Sequence, residues 1–263
     1  MSFEPLAAAR VLHEARIAGR PSGPLPAGST PRDLAEGVAM QHALASLRGA
    51  IPPAGFKIGA TAKGMQEYLG LTGPAAGFME AANLHRSGAA LPFAKFRQPG
   101  AECEIGLRLA TDLPSGRGDL DAARAAVGEV FPAIEVVENR YGPPPAGDLK
   151  AIGTPTLIAD QVFHAAAVLG APFDWRDVDL AAIGGAISVD GVEQASGLGS
   201  ALLGHPFAAL AWLAGSDVAA AFGGLRAGQV VMLGSVTLPI WFSEPCEVMV
   251  RFGAHAPVSV RFT

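Results

Sequence analysis

From about residue 101 onward the chain is written in short runs of period two: "AECEIGLRL", "AIEVVENR", "GAISVDGVEQAS", "QVVMLGSVT", "CEVMVRF" and "VSVRF". A pleated strand sends successive side chains to opposite faces, so this alternation predicts strands. Asp190-Gly191 stands between two of the runs, and a type I′ turn needs positive φ at both central residues, so a hairpin is predicted there. Between the strands, "DLDAARAAVGEVF", "PTLIADQVFHAAAVLG" and "HPFAALAWLAGSDVAAAF" carry helical spacing. The predicted fold class is α+β, a mixed but mainly antiparallel sheet, curled or closed into a roll.

The first hundred residues alternate helix signals with breakers. In "STPRDLAEGVAMQHALASLRG", Thr30 is the expected cap, Pro31 the first helical residue and Asp33 a charge matched to the positive helix end. An earlier helix is expected to end near Gly19, and "RPSGPLPAGS" reads as a linker. Residues 1–50 are therefore predicted to be a helical annex and residues 51–263 the main domain. With 19 basic and 24 acidic residues the formal net charge is −5, which leaves no basic surface for a nucleic acid. The longest apolar run, "PFAALAWLAG", is closed by Ser216 and Asp217, short of the roughly 20 residues a membrane helix needs. The opening "MSFEPLAAAR" has an acid and a proline where a secretory leader carries basic residues, so no leader is expected. Two cysteines, Cys103 and Cys246, are too few for a disulfide framework and wrongly spaced for zinc; a reducing cytoplasm is the expected setting.

As a strand, "AECEIGLRL" puts Glu102, Glu104, Gly106 and Arg108 on one face and Cys103, Ile105, Leu107 and Leu109 on the other. Such an E-x-E pair alone would read as a solvated strand face. The second acidic element changes the reading, because Glu135 in "FPAIEVVENR" is embedded among alanine, isoleucine and two valines. A buried carboxylate requires a base or a metal, and three glutamates without a histidine or thiolate cluster describe a hard, oxygen-rich site for Mg²⁺ or Mn²⁺. The glycine-rich "GLGSALLGHP" follows a hairpin strand and lacks G-K-[ST], so it does not read as a nucleotide loop. The six histidines show no ligand spacing; His205, at a helix start, is expected to cap that helix or to touch substrate. Lys57, between Phe56 and Ile58, would by itself read as an exposed strand-end lysine.

Five segments, "GFKIGATAKGMQEYLG", "AECEIGLRL", "PAIEVVENRY", "GHPFAALAWLA" and "LRAGQVVMLGS", fall in order between Glu36 and the C-terminus. Together they resemble the 2-keto-4-pentenoate hydratase and 4-oxalocrotonate decarboxylase branch of the fumarylacetoacetate hydrolase superfamily. The resemblance implies a β-roll domain with a helical N-terminal part. It also implies a divalent metal, Mg²⁺ or Mn²⁺, on Glu102, Glu104 and Glu135, chelating a 2-oxo acid, with Lys57 beside the substrate as the catalytic residue. Gly59, Thr61, Asp160, Gln161 and Ser235 are the implied substrate-binding positions. A metal-dependent lyase follows, a hydratase with an altered pocket first and a decarboxylase or tautomerase second; a non-catalytic scaffolding relative is the rival of another class. Relatives are homo-oligomeric, and association with a pathway enzyme is the further expectation. Three departures stand out: "PAAG" where hydratases read P-D-[YF]-G, "ADQVFH" where relatives read A-D-N-x-S, and "ENR", which keeps Arg140, where "DSR" is usual.

Overall fold

In a computed structural model, which describes residues 3–69, 71–116, 118–142 and 147–263, the alternating runs form two sheets. In chain order the strands are β1 (Gly55–Gly59), β2 (Ala75–Met79), β3 (Leu84–Arg86), β4 (Ala89–Leu91), β5 (Pro99–Leu109), β6 (Val127–Glu138), β7 (His164–Leu169), β8 (Gly184–Val189), β9 (Val192–Leu198), β10 (Val230–Ser235), β11 (Ile240–Trp241), β12 (Glu247–Phe252) and β13 (Val258–Phe262). The helices are α1 (Pro5–Ile17), α2 (Leu34–Leu47), α3 (Lys63–Leu69), α4 (Leu120–Ala126), α5 (Leu149–Ile152), α6 (Thr154–Ala159), α7 (Pro206–Ala214) and α8 (Asp217–Ala221). One sheet runs β2-β1-β10-β5-β6-β7-β3, with β11 paired to the end of β5; the other runs β4-β13-β12-β8-β9. Pairing is antiparallel except for β1 with β10, β3 with β7 and β4 with β13.

The alternation predicted in β5 has a packing consequence. Cys103, Ile105 and Leu107 join one apolar cluster with Val248, Val250, Val258 and Val260 of the second sheet, which leaves Glu102 and Glu104 on the opposite face. The Asp190-Gly191 hairpin forms as expected, with φ of 48° and 80°. Ala8, Leu12, Met40 and Leu44 of the N-terminal helices are buried in the same cluster as Phe56 and Phe78, so residues 5–47 share their core with β1 and β2.

Two local expectations are corrected. Helix α2 starts at Leu34, capped by Asp33, whose side chain accepts from the Glu36 N–H; the Glu36 carboxylate accepts in turn from the Arg32 N–H. These two bonds close the helix start at Asp33, and the Thr30 hydroxyl instead donates back to the carbonyls of Leu25 and Pro26. The run "PTLIADQVFHAAAVLG" is helical only through Ala159; its second half is β7, drawn into the ladder of β6. An alanine-rich apolar run fits either period, and pairing with a central strand decides. Among the described residues no helix is long and apolar enough to cross a membrane.

Candidate metal centre and its cavity

Strand register assembles the acids. Glu102 of β5 stands directly opposite Glu135 of β6, and Glu104, two residues along, faces Ala133. Cross-strand partners share a face, so the three carboxylates converge, with candidate ligand oxygens all within 4.8 Å of one another. Glu104 and Glu135 are fully buried, and Glu102 is half-buried at the edge of a cavity. The Gly234 N–H donates to Glu104 Oε2 at 2.9 Å, from a backbone position at φ 102° that suits glycine. Glu104 Oε1 and Glu135 Oε2 are buried without a hydrogen-bond partner among the described residues. Two unsatisfied carboxylate oxygens facing a third carboxylate fit a hard divalent cation.

The electrostatics follow from the crowding. Burial, then the charge of Glu135, pushes Glu102 up to about 8, with Lys57 acting against both. Burial and the charges of Glu135 and Glu102 hold Glu104 well above the usual carboxylate range. Burial also acts to raise Glu135, but Lys57 and His164 outweigh it and hold this carboxyl below its ordinary value.

Lys57 is 2 % exposed, which replaces the strand-end reading with a buried one. Its Nζ donates to the Val162 carbonyl at 2.5 Å and lies 3.7 Å from Glu135 Oε1. The acceptor belongs to an unusual turn: Gln161, Val162 and Phe163 hold φ of 62°, 46° and 68°, three successive left-handed residues without a glycine. Each costs roughly 1–2 kcal/mol, so the surroundings must hold the turn. Asp160 anchors it: Arg140 Nε donates to Oδ2 at 3.0 Å, Arg16 Nε to Oδ1 at 2.7 Å, and both guanidinium groups also reach the Asp160 carbonyl. Gln161 Nε2 donates to the Phe78 carbonyl at 2.6 Å. Gly77 lets the turn approach β2, since a Cβ there would lie 3.1 Å from Gln161 Cα.

The cavity beside the acids, about 190 Å³, is lined by Lys57, Gly59, Gln98, Glu102, Asn139 and, at its apolar wall, Met65, Leu69, Leu149, Val162, Phe163 and Trp241. The expected binding positions therefore divide. Gly59 lines this cavity. Thr61 packs on Gly234, the donor to Glu104. Ser235 lies opposite Glu104 in the ladder, and its hydroxyl donates to the Cys103 carbonyl at 3.3 Å. Asp160 and Gln161 do not line this cavity; they belong to the turn that holds Lys57, and both accept from Arg16 of α1. His205 caps α7 through Nδ1, which accepts from the Phe207 N–H at 3.0 Å. Sequence reasoning missed His164, whose Nδ1 lies 2.8 Å from Glu135 Oε1. Burial holds this imidazole below its usual value, so the neutral ring donates from Nδ1 and orients Glu135. It also missed Arg16, 144 residues from Asp160 in the chain. Neither pairing has a spacing signature, because one crosses a bulged ladder and the other joins a terminal helix to a distant turn.

Comparison with known proteins places the chain in a family. The chain is 34% identical to the 2-keto-4-pentenoate hydratase of Burkholderia vietnamiensis strain G4, over 86% of its own length and 84% of that protein. It belongs to the 2-keto-4-pentenoate hydratase family of the fumarylacetoacetate hydrolase superfamily. Another relative in this family is the 2-hydroxyhexa-2,4-dienoate hydratase of Comamonas testosteroni, 37% identical over 69% of this chain and 67% of that protein. The family fold is matched by the structure of 4-oxalocrotonate decarboxylase from Pseudomonas putida G7 complexed with magnesium and adipate. The TM-score is 0.87 at 24% identity, over 98% of this chain and 97% of that one. No protein-family model matches the chain.

Proposed function

We propose that the chain adds water to a small 2-hydroxy-2,4-dienoic acid with an uncharged distal end. The observation that carries this reading is the convergence of Glu102, Glu104 and Glu135 with Lys57, at a cavity whose other described walls contain no second cation. The three glutamates would hold Mg²⁺ or Mn²⁺, and such an ion, when bound, supplies positive charge to the carboxylate and 2-oxygen of a 2-oxo acid. Family membership and the all-carboxylate donor set support that assignment.

The chain's own groups then have distinct tasks. Lys57, fixed by the Val162 carbonyl, is placed to take and return the proton that leaves the 2-hydroxyl as the dienol becomes an unsaturated ketone. Returned to C5, the far end of the diene, that proton leaves a C3=C4 double bond conjugated to the 2-oxo group, so the hydroxyl of water adds at the β-carbon C4 and its proton goes to C3. Gln98 and Asn139, hydrogen-bonded to each other at 3.1 Å, line the polar wall and offer amide groups to substrate oxygens. Leu69, Val162, Phe163 and Trp241 exclude bulk water from the distal end. The setting we propose is a homo-oligomer in a reducing cytoplasm, in keeping with the two buried free thiols of Cys103 and Cys246.

One observation favours a second reading, loss of CO₂ from a vinylogous 2-oxo dicarboxylate. Ala75 stands where the hydratase pattern has an acid, and it packs with Leu69 and Val162 at the apolar wall, leaving no carboxylic acid to handle water there. Hydration is preferred because a distal carboxylate would meet no basic partner besides Lys57 among the described lining residues. Assays of 2-hydroxypenta-2,4-dienoate and 4-oxalocrotonate with Mg²⁺ and Mn²⁺ separate the two. We expect kcat/KM for the dienoate to exceed that for the dicarboxylate by about tenfold or more. Lys57→Met is expected to lower turnover by about 100-fold while oxalate affinity stays within about tenfold. Inactivity on the dienoate with both metals, or full turnover by Lys57→Met, overturns the reading.

A further inference from the structure

The segment 160–164 is also the wall of a second and larger cavity, about 540 Å³, which shares no lining residue with the first: Gln161 and His164 face this one, Val162 and Phe163 the other. Its charge is out of keeping with the rest of the chain. Six of the 19 basic side chains line it, Arg16, Arg20, Arg48, Lys95, Arg97 and Arg140, against two acids, Glu80 and Glu138, in a chain whose net charge is −5. They come from separate parts of the sequence, so no local charge run explains the gathering. Internal pairing accounts for only half of them: Arg48 is engaged by Glu80, and Arg16 and Arg140 by Asp160. Among the described residues the Arg97 guanidinium bonds only the Gly19 carbonyl, at 3.1 Å, and the exposed side chains of Arg20 and Lys95 have no hydrogen-bond or ion-pair partner. His164 adds an independent sign of a missing ligand: it is 3 % exposed, it lines this cavity, and its Nε2, the acceptor nitrogen of the neutral ring, is buried without a partner, a place for a protonated ligand oxygen or a ligand-bound water.

Cations gathered around one concavity repel each other, and the repulsion is relieved by a counter-charge in the middle. Arg16 registers it: burial first, then the neighbouring Arg140 and Arg48, bring its guanidinium down to about 10 despite Asp160. Guanidinium forks match carboxylate and phosphate groups, and a cavity of this size accepts a molecule of several such groups with its waters. We propose that this cavity is a second anion-binding site, separate from the glutamate centre, for a small polyanion of the carboxylate or phosphate class.

The test is calorimetric titration of the Mg²⁺-loaded protein, saturated with oxalate to occupy the glutamate centre, with inorganic phosphate in one arm and tricarballylate in the other, at low ionic strength. We expect a Kd below about 1 mM for at least one probe, and the arm that binds assigns phosphate or carboxylate as the ligand chemistry. Arg20→Glu and Lys95→Glu change exposed side chains with no role in the fold, and each is expected to weaken binding by about tenfold or more. Arg176→Glu, the same change on an exposed arginine outside the lining, should leave it unaltered. Absence of binding in both arms, or equal weakening by Arg176→Glu, overturns the proposal. The readout is heat of binding, so it stands or falls independently of any assay of turnover.

Discussion

Glu102 and Glu135 face each other across β5 and β6 with Glu104 beside them, and in the metal-free protein that crowding is a source of instability. Glu102 titrates near 8 in the fold against an ordinary 4.5, so between those values the folded protein holds a proton that the unfolded chain has lost. Its contribution is fully present below about pH 4.5 and is lost as pH rises through about 8. Glu135, held low, contributes in the opposite sense: its share is present above the ordinary carboxylate range and is lost as pH falls. Metal-free protein is therefore expected to lose thermal stability from about pH 5 to about pH 8, and added Mg²⁺ to reverse the trend as ligand deprotonation becomes favourable. Melting curves with EDTA and with Mg²⁺ measure both slopes. Glu104→Gln should stabilise the metal-free protein by about 1 kcal/mol or more while removing the Mg²⁺-induced shift. A metal-free melting temperature unchanged by pH and by this substitution would show that the carboxylates do not crowd one another.

The turn between α6 and β7 is the element on which the centre depends. It carries the carbonyl that fixes Lys57, it is left-handed at three successive residues, and its only buried anion is Asp160. Asp160→Asn preserves shape but leaves Arg16 and Arg140 facing a neutral amide, and an uncompensated buried charge costs about 3–5 kcal/mol. Denaturant unfolding is expected to show that loss, and at temperatures where the variant stays folded, turnover should fall further than substrate affinity as Lys57 loses its fixed acceptor. Wild-type stability in Asp160→Asn would mean that the turn is held by its packing alone. This element was only partly legible in the sequence. The departure "ADQVFH" marked it as altered, but the same letters fit a helix, and the left-handed backbone becomes favourable only once Arg16 and Arg140 have closed on it.

At the scale of the whole molecule, the helices of residues 5–47 are part of the core. Leu12, Met40 and Leu44 are fully buried, and Gln41 Nε2 donates to the carbonyls of Ala76 and Ile158 at 3.0 and 2.6 Å. Burying three such apolar side chains contributes about 5–9 kcal/mol, comparable with the total stability of about 5–15 kcal/mol of an ordinary domain. A chain lacking residues 1–50 should accordingly show no cooperative thermal transition by circular dichroism, and a cooperative melt near that of the full chain would establish an independent domain. Period-two alternation determined β5, β6, β8, β9, β10, β12 and β13, Asp190-Gly191 determined a hairpin, and E-x-E with a glutamate in an apolar strand determined which acids had to meet something. These are local properties, carried by neighbours one to four residues apart. Tertiary structure alone decided that Lys57 is buried, that His164 orients Glu135, that Asp160 turns to two arginines, and that six basic side chains surround one cavity. Each of those contacts joins segments whose separation along the chain carries no periodic signal, so only strand pairing and the packing of helices and turns against the sheet bring them within reach.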